Sequence, residues 1–232
     1  MKLLLSLKMN SRAYIGSRQI GPLSSRWAIY FLVLLVSLPV SLNARESRVK
    51  AFCNLSRPER CWVLSHPFVA SKAWKLTKLT RKITLEISKD TLLDGDKNGG
   101  QVDAFRHTFW LALLSQNMHW RKAFKLSEAH EKGNYHSFKK GKEEDGIVPD
   151  SAFSVMDRYN NRLGIEIGLA NKFVSRDTLI QLVVEAILNG DAKILSKNSV
   201  GEYLDCDGNI IAPKPRIWNI PRCLISSDKR AK

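Results

Sequence analysis

The residues best suited to chemistry fall in three short stretches. Asp103, Arg106, His107 and Trp110 occupy the run QVDAFRHTFW; His130 and Glu131 lie in SEAHEKG; Asp157, Asn160 and Asn161 lie in VMDRYNNRLG. Asp103 and His107 are four residues apart, so on a helix they project from one face. There the carboxylate can fix the imidazole tautomer and raise its basicity, or both groups can ligate a metal ion. His130 and Glu131 are neighbours that point about 100° apart on a helix, so both reach one point only where the helix ends, and Gly133 is the expected stop. The spacing is not H-E-x-x-H, because position 134 is Asn, and the zinc-protease motif fails at its second ligand. Asp157, Asn161, Gly164 and Gly168 follow one another at steps of four, three and four. That ridge sets polar groups beside smooth backbone that a second helix can approach closely.

If the three stretches converge, Asp103, His107, His130 and Asp157 form a donor set suited to zinc or another first-row divalent ion, with Glu131 as an outer partner or general base. Alternatively, His107 and His130 act as acid and base, the carboxylates orient them, and Arg106 neutralises an anionic substrate group. Asn160, Asn161 and Trp110 then complete a substrate-binding or supporting network. The opposing reading is structural: Asp103 caps its helix, His107 is a satisfied buried residue, and the Asp and Asn residues fix helix register.

The same residues carry a resemblance. Asn98-Gly99, then Asp103-Ala-Phe-Arg106-His107 and Trp110, then Ala129-His130-Glu131, then Met156-Asp157-x-x-Asn160-Asn161-x-x-Gly164 resembles an uncharacterised bacterial domain family often found in exported or toxin-like proteins. The pattern covers about residues 95 to 170. What it implies is a shared polar site at the matching positions; it implies nothing about substrate.

Helices must position these groups. Apolar spacing and start and stop signals predict them over residues 56–65, 68–88, 103–116, 119–132, 150–172 and 176–188, with Asp150 and Ser175 as N-caps. No strand series alternates with them. The expected fold is therefore mainly α, a single compact domain of about five or six helices over residues 45–200, with an irregular tail over 201–232. Residues 203–212 in that tail have the makings of a small β-hairpin about Asp207-Gly208. Two loops flank the candidate site. Residues 90–102 are rich in Asp, Gly and Asn; Asp94, Asp96, Asn98 and Gly99 match half of an EF-hand loop, but Phe105 stands where a bidentate Glu is required, so an Asx-rich turn is the default. Residues 137–146 form a Lys/Glu/Gly-biased loop beside the site.

The net charge of +15 comes from 37 basic and 22 acidic side chains. Residues 1–44 hold five of the basic ones and no acidic ones, so 32 against 22 remain beyond them. Lys72, Lys75, Lys78 and Lys82 recur every three or four residues as a positive stripe, either a solvated face or a docking face for an anionic envelope component such as a membrane surface or cell-wall polymer. The apolar run at residues 27–42 follows a basic stretch, is broken by Pro39 and is short for a bilayer crossing, the order of a secretory signal; an uncleaved inner-membrane anchor is the alternative. Either form places the rest of the chain outside the cytoplasm, in the periplasm or beyond. Cys53, Cys61, Cys206 and Cys223 all follow that run. An even count in an oxidising compartment favours disulfides, with Cys53–Cys61 and Cys206–Cys223 as the local pairings.

The functional expectation is an exported envelope hydrolase with a His/Asp/Asn site, with or without a metal. A non-catalytic envelope or membrane-binding protein whose polar network is structural is the main rival. A toxin-like nuclease is the third reading; no aromatic-interleaved basic motif supports nucleic acid as a partner.

Overall fold

In a computed structural model of the chain, residues 49–143, 148–212 and 217–229 are described. The candidate leader therefore lies outside the described residues, as do residues 144–147 of the expected Lys/Glu/Gly loop. The chain divides into two units, Met1–Lys50 and Ala51–Lys232. Residues 49–54 are helical, and the described residues of the second unit include six further helices and two short strands. These are α1 (Arg57–Ser65), α2 (Pro67–Ile87), α3 (Gln101–Asn117), α4 (Trp120–Lys139), α5 (Ser151–Ala170), α6 (Arg176–Leu188), β1 (Lys193–Leu195) and β2 (Leu224–Ser226). The fold is mainly α, as the sequence predicts.

Local chemistry explains where the helices begin. Ser56 and Glu59 form a reciprocal capping box at the start of α1, with Pro58 in its first turn. Pro67 opens α2, where its missing N–H costs nothing. The Asp150 carboxylate accepts from the amides of Ala152 and Phe153 at the head of α5, and Ser175 accepts from Thr178 at the head of α6.

Side-chain contacts fix how the helices run. Lys72 Nζ, near the start of α2, donates to the Asn117 carbonyl at the end of α3 (2.8 Å), so α2 and α3 are antiparallel. Trp62 Nε1 on α1 donates to the Lys122 carbonyl early in α4 (3.1 Å), while His130, later in α4, meets Glu59 near the start of α1; these two are antiparallel as well. Gly164 and Gly168 of α5 lie on the backbones of Thr108 and Ala112, so α5 runs parallel to α3. The α1–α2, α3–α4 and α5–α6 connections consequently gather at one end of the bundle.

Helix α3 is the axis. Fourteen of its seventeen residues are buried, which leaves it no solvent face. One apolar cluster packs Val102, Phe105, Phe109 and Leu113 of α3 against Leu179, Val183 and Ile187 of α6 and Ile83 of α2. A second packs Trp110, Leu111 and Leu114 against Trp62 of α1 and Ala123 and Leu126 of α4.

Gly133 does not stop α4, which continues to Lys139. A Cβ at that glycine would lie 2.5 Å from Ser56 Oγ, so the residue is needed for the close approach of the α1 cap and not for helix termination. The first residues of the expected loop at 137–146 accordingly belong to α4.

After α6 the chain closes back on the bundle. β1 and β2 pair antiparallel, Lys193 opposite Ser226 and Leu195 opposite Leu224. Between them, Leu204 pairs with Ile210 across a turn in which Gly208 has φ +87°, so a small hairpin forms about Asp207-Gly208. The Cys206–Cys223 disulfide holds that turn next to β2. Gln101 Nε2, at the first residue of α3, donates to the Ser227 carbonyl (2.7 Å). The expected Cys53–Cys61 bridge is absent: both thiols are free and exposed. Trp62 takes the inward position on α1, which turns its neighbour Cys61 outward.

The α3–α5 contact should be intolerant of any side chain at its glycines. A Cβ at Gly168 would overlap the Ala112 carbonyl oxygen, so Gly168→Ala is expected to cost about 1–3 kcal/mol or more, the usual penalty of overpacking a rigid contact. The check is a urea titration, in which the midpoint should fall with the slope unchanged.

Candidate metal centre

The first two turns of α3 and the middle of α5 bring three donors together. One oxygen each of Asp103 and Asp157 and one ring nitrogen of His107 all lie within 4.8 Å of one another, and all three residues are buried. His107 Nε2 is 3.3 Å from Asp157 Oδ1 and 3.6 Å from Asp103 Oδ1. These separations are close to the edge of about 3.4 Å expected between donors about 2.0–2.1 Å from a tetrahedral zinc ion. Among the described residues this is the group of three or more His, Cys, Asp or Glu that could hold a metal.

Both carboxylates are placed by backbone. Asp103 Oδ2 accepts from the Gly99 amide (2.7 Å), tying the loop before α3 to the site, while Oδ1 meets Arg106 Nη2 at 2.7 Å. Asp103 does not cap α3, which begins at Gln101 behind Gly100; its Oδ2 instead ties the preceding loop to the site. Gly99 has φ +87°, a left-handed conformation that glycine adopts without strain. Asp157 reaches the site because Gly164 and Gly168, on the same ridge of α5, let the two helices close together.

Arg106 Nη2 is also 3.2 Å from His107 Nε2. If that nitrogen carries the lone pair, three acceptors face one another and positive charge must lie among them; Arg106 supplies some of it. Burial is the main force holding the His107 pKa well below its usual value of 6.5, reinforced by the charges of Arg106 and His130; the Asn161 amide beside the ring pulls the other way. A buried imidazole that stays neutral at neutral pH is in the form that ligates metals.

The other predicted site residues divide. The His130 ring lies 6.4 Å from that of His107, and its Nδ1 contacts Glu59 Oε1 at 3.1 Å, so it flanks the cluster and is not one of the three donors. Trp110 donates its indole N–H to Thr77 Oγ1 and meets the His130 ring edge-on at 5.7 Å. Glu131 is not one of the three donors and accepts from Ser154 Oγ at 2.7 Å. The helix continues through Gly133, so the 100° between neighbours is kept and the two residues serve different places. Asn160 is a clip: its amide donates to the Lys193 carbonyl and accepts from the Lys193 amide, both at 2.9 Å, pinning β1 to α5. Asn161 is fully buried beside His107.

Sequence reasoning missed Glu59. Its S-x-x-E pattern with Ser56 was legible as a cap, but the pairing with His130, 71 residues away, had no local signal. It also missed Lys197, whose ammonium is hydrogen-bonded to Asp96 Oδ2 and to the Asn98 carbonyl. The Asp94 carboxylate accepts the amides of Asp96 and Gln101. The loop at 90–102 is therefore an Asx-rich turn whose cation is a lysine, not an EF-hand.

A family model described as a domain of unknown function (DUF6973) matches residues 60–191. The chain belongs to this family. No curated protein and no solved structure matches it. The matched DUF6973 segment contains the whole donor cluster, along with Arg106, Trp110, His130, Asn160 and Asn161, whereas Glu59 and the strand pair lie beyond its ends.

Two pKa shifts give the domain a directional response to acid. Burial alone would raise the Glu59 carboxyl, but hydrogen bonding and charge from His130 and hydrogen bonds at Ser56 outweigh it and lower the pKa from 4.5 to about 2. Glu59 therefore contributes stability above pH 4.5 that is lost as pH falls towards 2. His107 is also lowered, so the fold is fully stable with respect to it above 6.5 and weakens on acidification below that value. Glu59→Gln should flatten the acid limb of a stability–pH curve below 4.5, by on the order of 3 kcal/mol, and leave the His107 limb in place. Denaturant melts at stepped pH check this.

Proposed function

We propose that this DUF6973 domain belongs to an exported protein that acts in the bacterial envelope as a metal-dependent hydrolase, with Asp103, His107 and Asp157 as the metal ligands. The observation that carries the reading is the buried convergence of two carboxylate oxygens and a neutral imidazole nitrogen within 4.8 Å. A divalent ion bound there would supply Lewis acidity toward a substrate oxygen and an attacking water. The remaining work falls to the chain's own groups. Arg106, whose side chain is 28% exposed, is the charged member of the site that can meet an anionic substrate group. His130, held by Glu59 with its ring tilted 38° to that of His107, is the second imidazole able to carry a proton.

A groove of about 380 Å³ is lined by Glu131, Lys132, Tyr135, His136, Arg158 and Trp218; none of the three donors lines it, but Arg158 follows Asp157 on α5 and Glu131 follows His130 on α4. Its basic side chains suit an anionic substrate, and its aromatic rings suit a flat or sugar-like one. The export signal read at residues 27–42 and the excess of basic residues support an envelope setting for such a substrate.

One observation favours a second reading, in which the cluster is structural. Arg106 already stands 2.7 Å from Asp103 and 3.2 Å from His107, as it would in an ion network that locks α3 to α5. The two readings predict different results from the same proteins. On the metal reading, calorimetry with zinc or manganese gives about one equivalent per chain. Asp157→Asn and His107→Ala each weaken binding by about a hundredfold or more while the helical circular dichroism is retained, and turnover of an activated phosphodiester or ester is lost with the metal. Absence of binding in the wild-type chain, together with unfolding of His107→Ala, overturns it in favour of the network.

A further inference from the structure

Three chain connections meet at one end of the bundle, and each of them presents an aromatic side chain to solvent. Phe68, in the first turn of α2, is 92% exposed; Phe173, between α5 and α6, is 99% exposed; Trp120, at the first residue of α4, is 37% exposed. Folding buries large aromatic side chains wherever it can, because each removes a large apolar area from water. Two phenylalanines left almost wholly in water at the same end of one domain therefore need a partner to explain them.

The connections are tied together, so this end is a surface and not a set of separate loops. Lys72 at the start of α2 donates to the Asn117 carbonyl, and Gln116 Nε2 donates to the Asn171 carbonyl at 2.6 Å. Trp62 of α1 donates to the Lys122 carbonyl. Leu64, 62% exposed on the last turn of α1, extends the apolar edge.

Charge identifies the partner. Residues 68–72, 118–122 and 171–177 contain five basic side chains and one carboxylate, Asp177, which pairs with its neighbour Arg176 at 3.2 Å. Arg121 lies over the Trp120 ring, its guanidinium carbon 5.3 Å from the centroid, and Lys172 precedes Phe173. Aromatic tips flanked by long cationic side chains match a membrane interface, in which the rings sit at headgroup level and the Lys and Arg stems cover apolar surface while their charges reach phosphate.

We infer that this end of the bundle is a docking surface for a bilayer rich in anionic lipid, with Phe68, Trp120 and Phe173 as its anchors. It is independent of whether the buried Asp/His cluster holds a metal. The arrangement also orients the molecule. Along α3, His107 lies ten residues from Asn117, a rise of about 15 Å at 1.5 Å per residue. The candidate site is then held above the lipid, facing soluble or cell-wall material.

Because the full chain also carries the apolar run at residues 27–42, overall partitioning does not report on this end, and a local probe is required. In a Cys53→Ser, Cys61→Ser background, an environment-sensitive NBD label on Phe173→Cys is compared with the same label on Val200→Cys, which is 77% exposed in the turn next to Lys197. Adding phosphatidylglycerol-containing vesicles at about 0.1 M salt should raise and blue-shift the emission at position 173 several-fold and leave position 200 unchanged; about 1 M salt should reverse most of the change. Phosphatidylcholine vesicles should have little effect. Introducing Phe68→Ser should weaken the response at 173 by about tenfold. An unchanged signal at 173 on every vesicle overturns the proposal, as does an equal rise at 200. A rise that follows protein concentration without lipid also overturns it, and assigns the surface to a second copy of the chain.

Discussion

Everything in this domain depends on two helices that run parallel and touch at the backbone. Gly164 and Gly168 let α5 settle onto Thr108 and Ala112 of α3, closer than any side chain would allow. On the same ridge, one and two turns earlier, stand Asn161 and Asp157. The close approach that is a steric fit at one half of the contact becomes a polar convergence at the other, where His107 Nε2 lies 3.3 Å from Asp157. Were the helices separated by an ordinary side-chain layer, at the 8–10 Å interaxial spacing of most helix pairs or more, the carboxylate and imidazole would part and admit solvent. The cluster and the glycine contact are one feature, and α3 can carry polar groups inside only because α5 seals them.

Burying charge at that seam is costly, and the surroundings show how the cost is offset. Asp103 accepts a hydrogen bond from the Gly99 amide at one oxygen and pairs with the Arg106 guanidinium charge at the other. His107 answers burial differently. Its proton affinity falls until the ring is neutral, which removes the need to solvate a cation but leaves a nitrogen whose role depends on which side holds the proton. With the proton on Nε2 the ring donates to a carboxylate and the site is an acid–base pair. With the proton on Nδ1 the same atoms form a ligand set. A metal ion selects the second tautomer, and so does Arg106, whose Nη2 lies within hydrogen-bonding distance of Nε2.

Much of this was legible in the sequence, for a physical reason. The Asp103/His107 spacing and the Asp157–Asn161–Gly164–Gly168 ridge are periodic, and helical periodicity places residues on a face without knowledge of the partner. The six helices were legible for the same reason, together with the caps Asp150 and Ser175. What escaped was non-local or depended on the neighbour. Gly133 reads as a stop because glycine weakens helices, yet it is required by a serine 77 residues earlier that packs where a Cβ would lie. Cys53 and Cys61 read as a pair from proximity in sequence, but Trp62 claims the inward face of α1 and leaves Cys61 in solvent. His130 reads as a ligand by residue type; only the antiparallel packing of α1 on α4 shows that Glu59 holds it to one side.

The alternating run of the helices separates two kinds of surface. The connections at one end are short, with α1 and α2 joined through His66 alone and α3 and α4 through Met118 and His119, and they leave aromatic tips in water. At the other end the chain spends far more residues: the Asx-rich turn before α3, the strand pair and the disulfide-bonded hairpin, stitched to one another by Lys197 on Asp96, Tyr203 on Asn98, Arg222 on Asp150 and Gln101 on Ser227. Those stitches draw on backbone groups and carboxylates next to Asp103 and at the head of α5, so they fix the elements from which the buried cluster projects. Elaborate, cross-linked loops at the end that carries the polar site, and bare turns at the other, are what a domain needs if one end must hold a geometry and the other must only meet a surface.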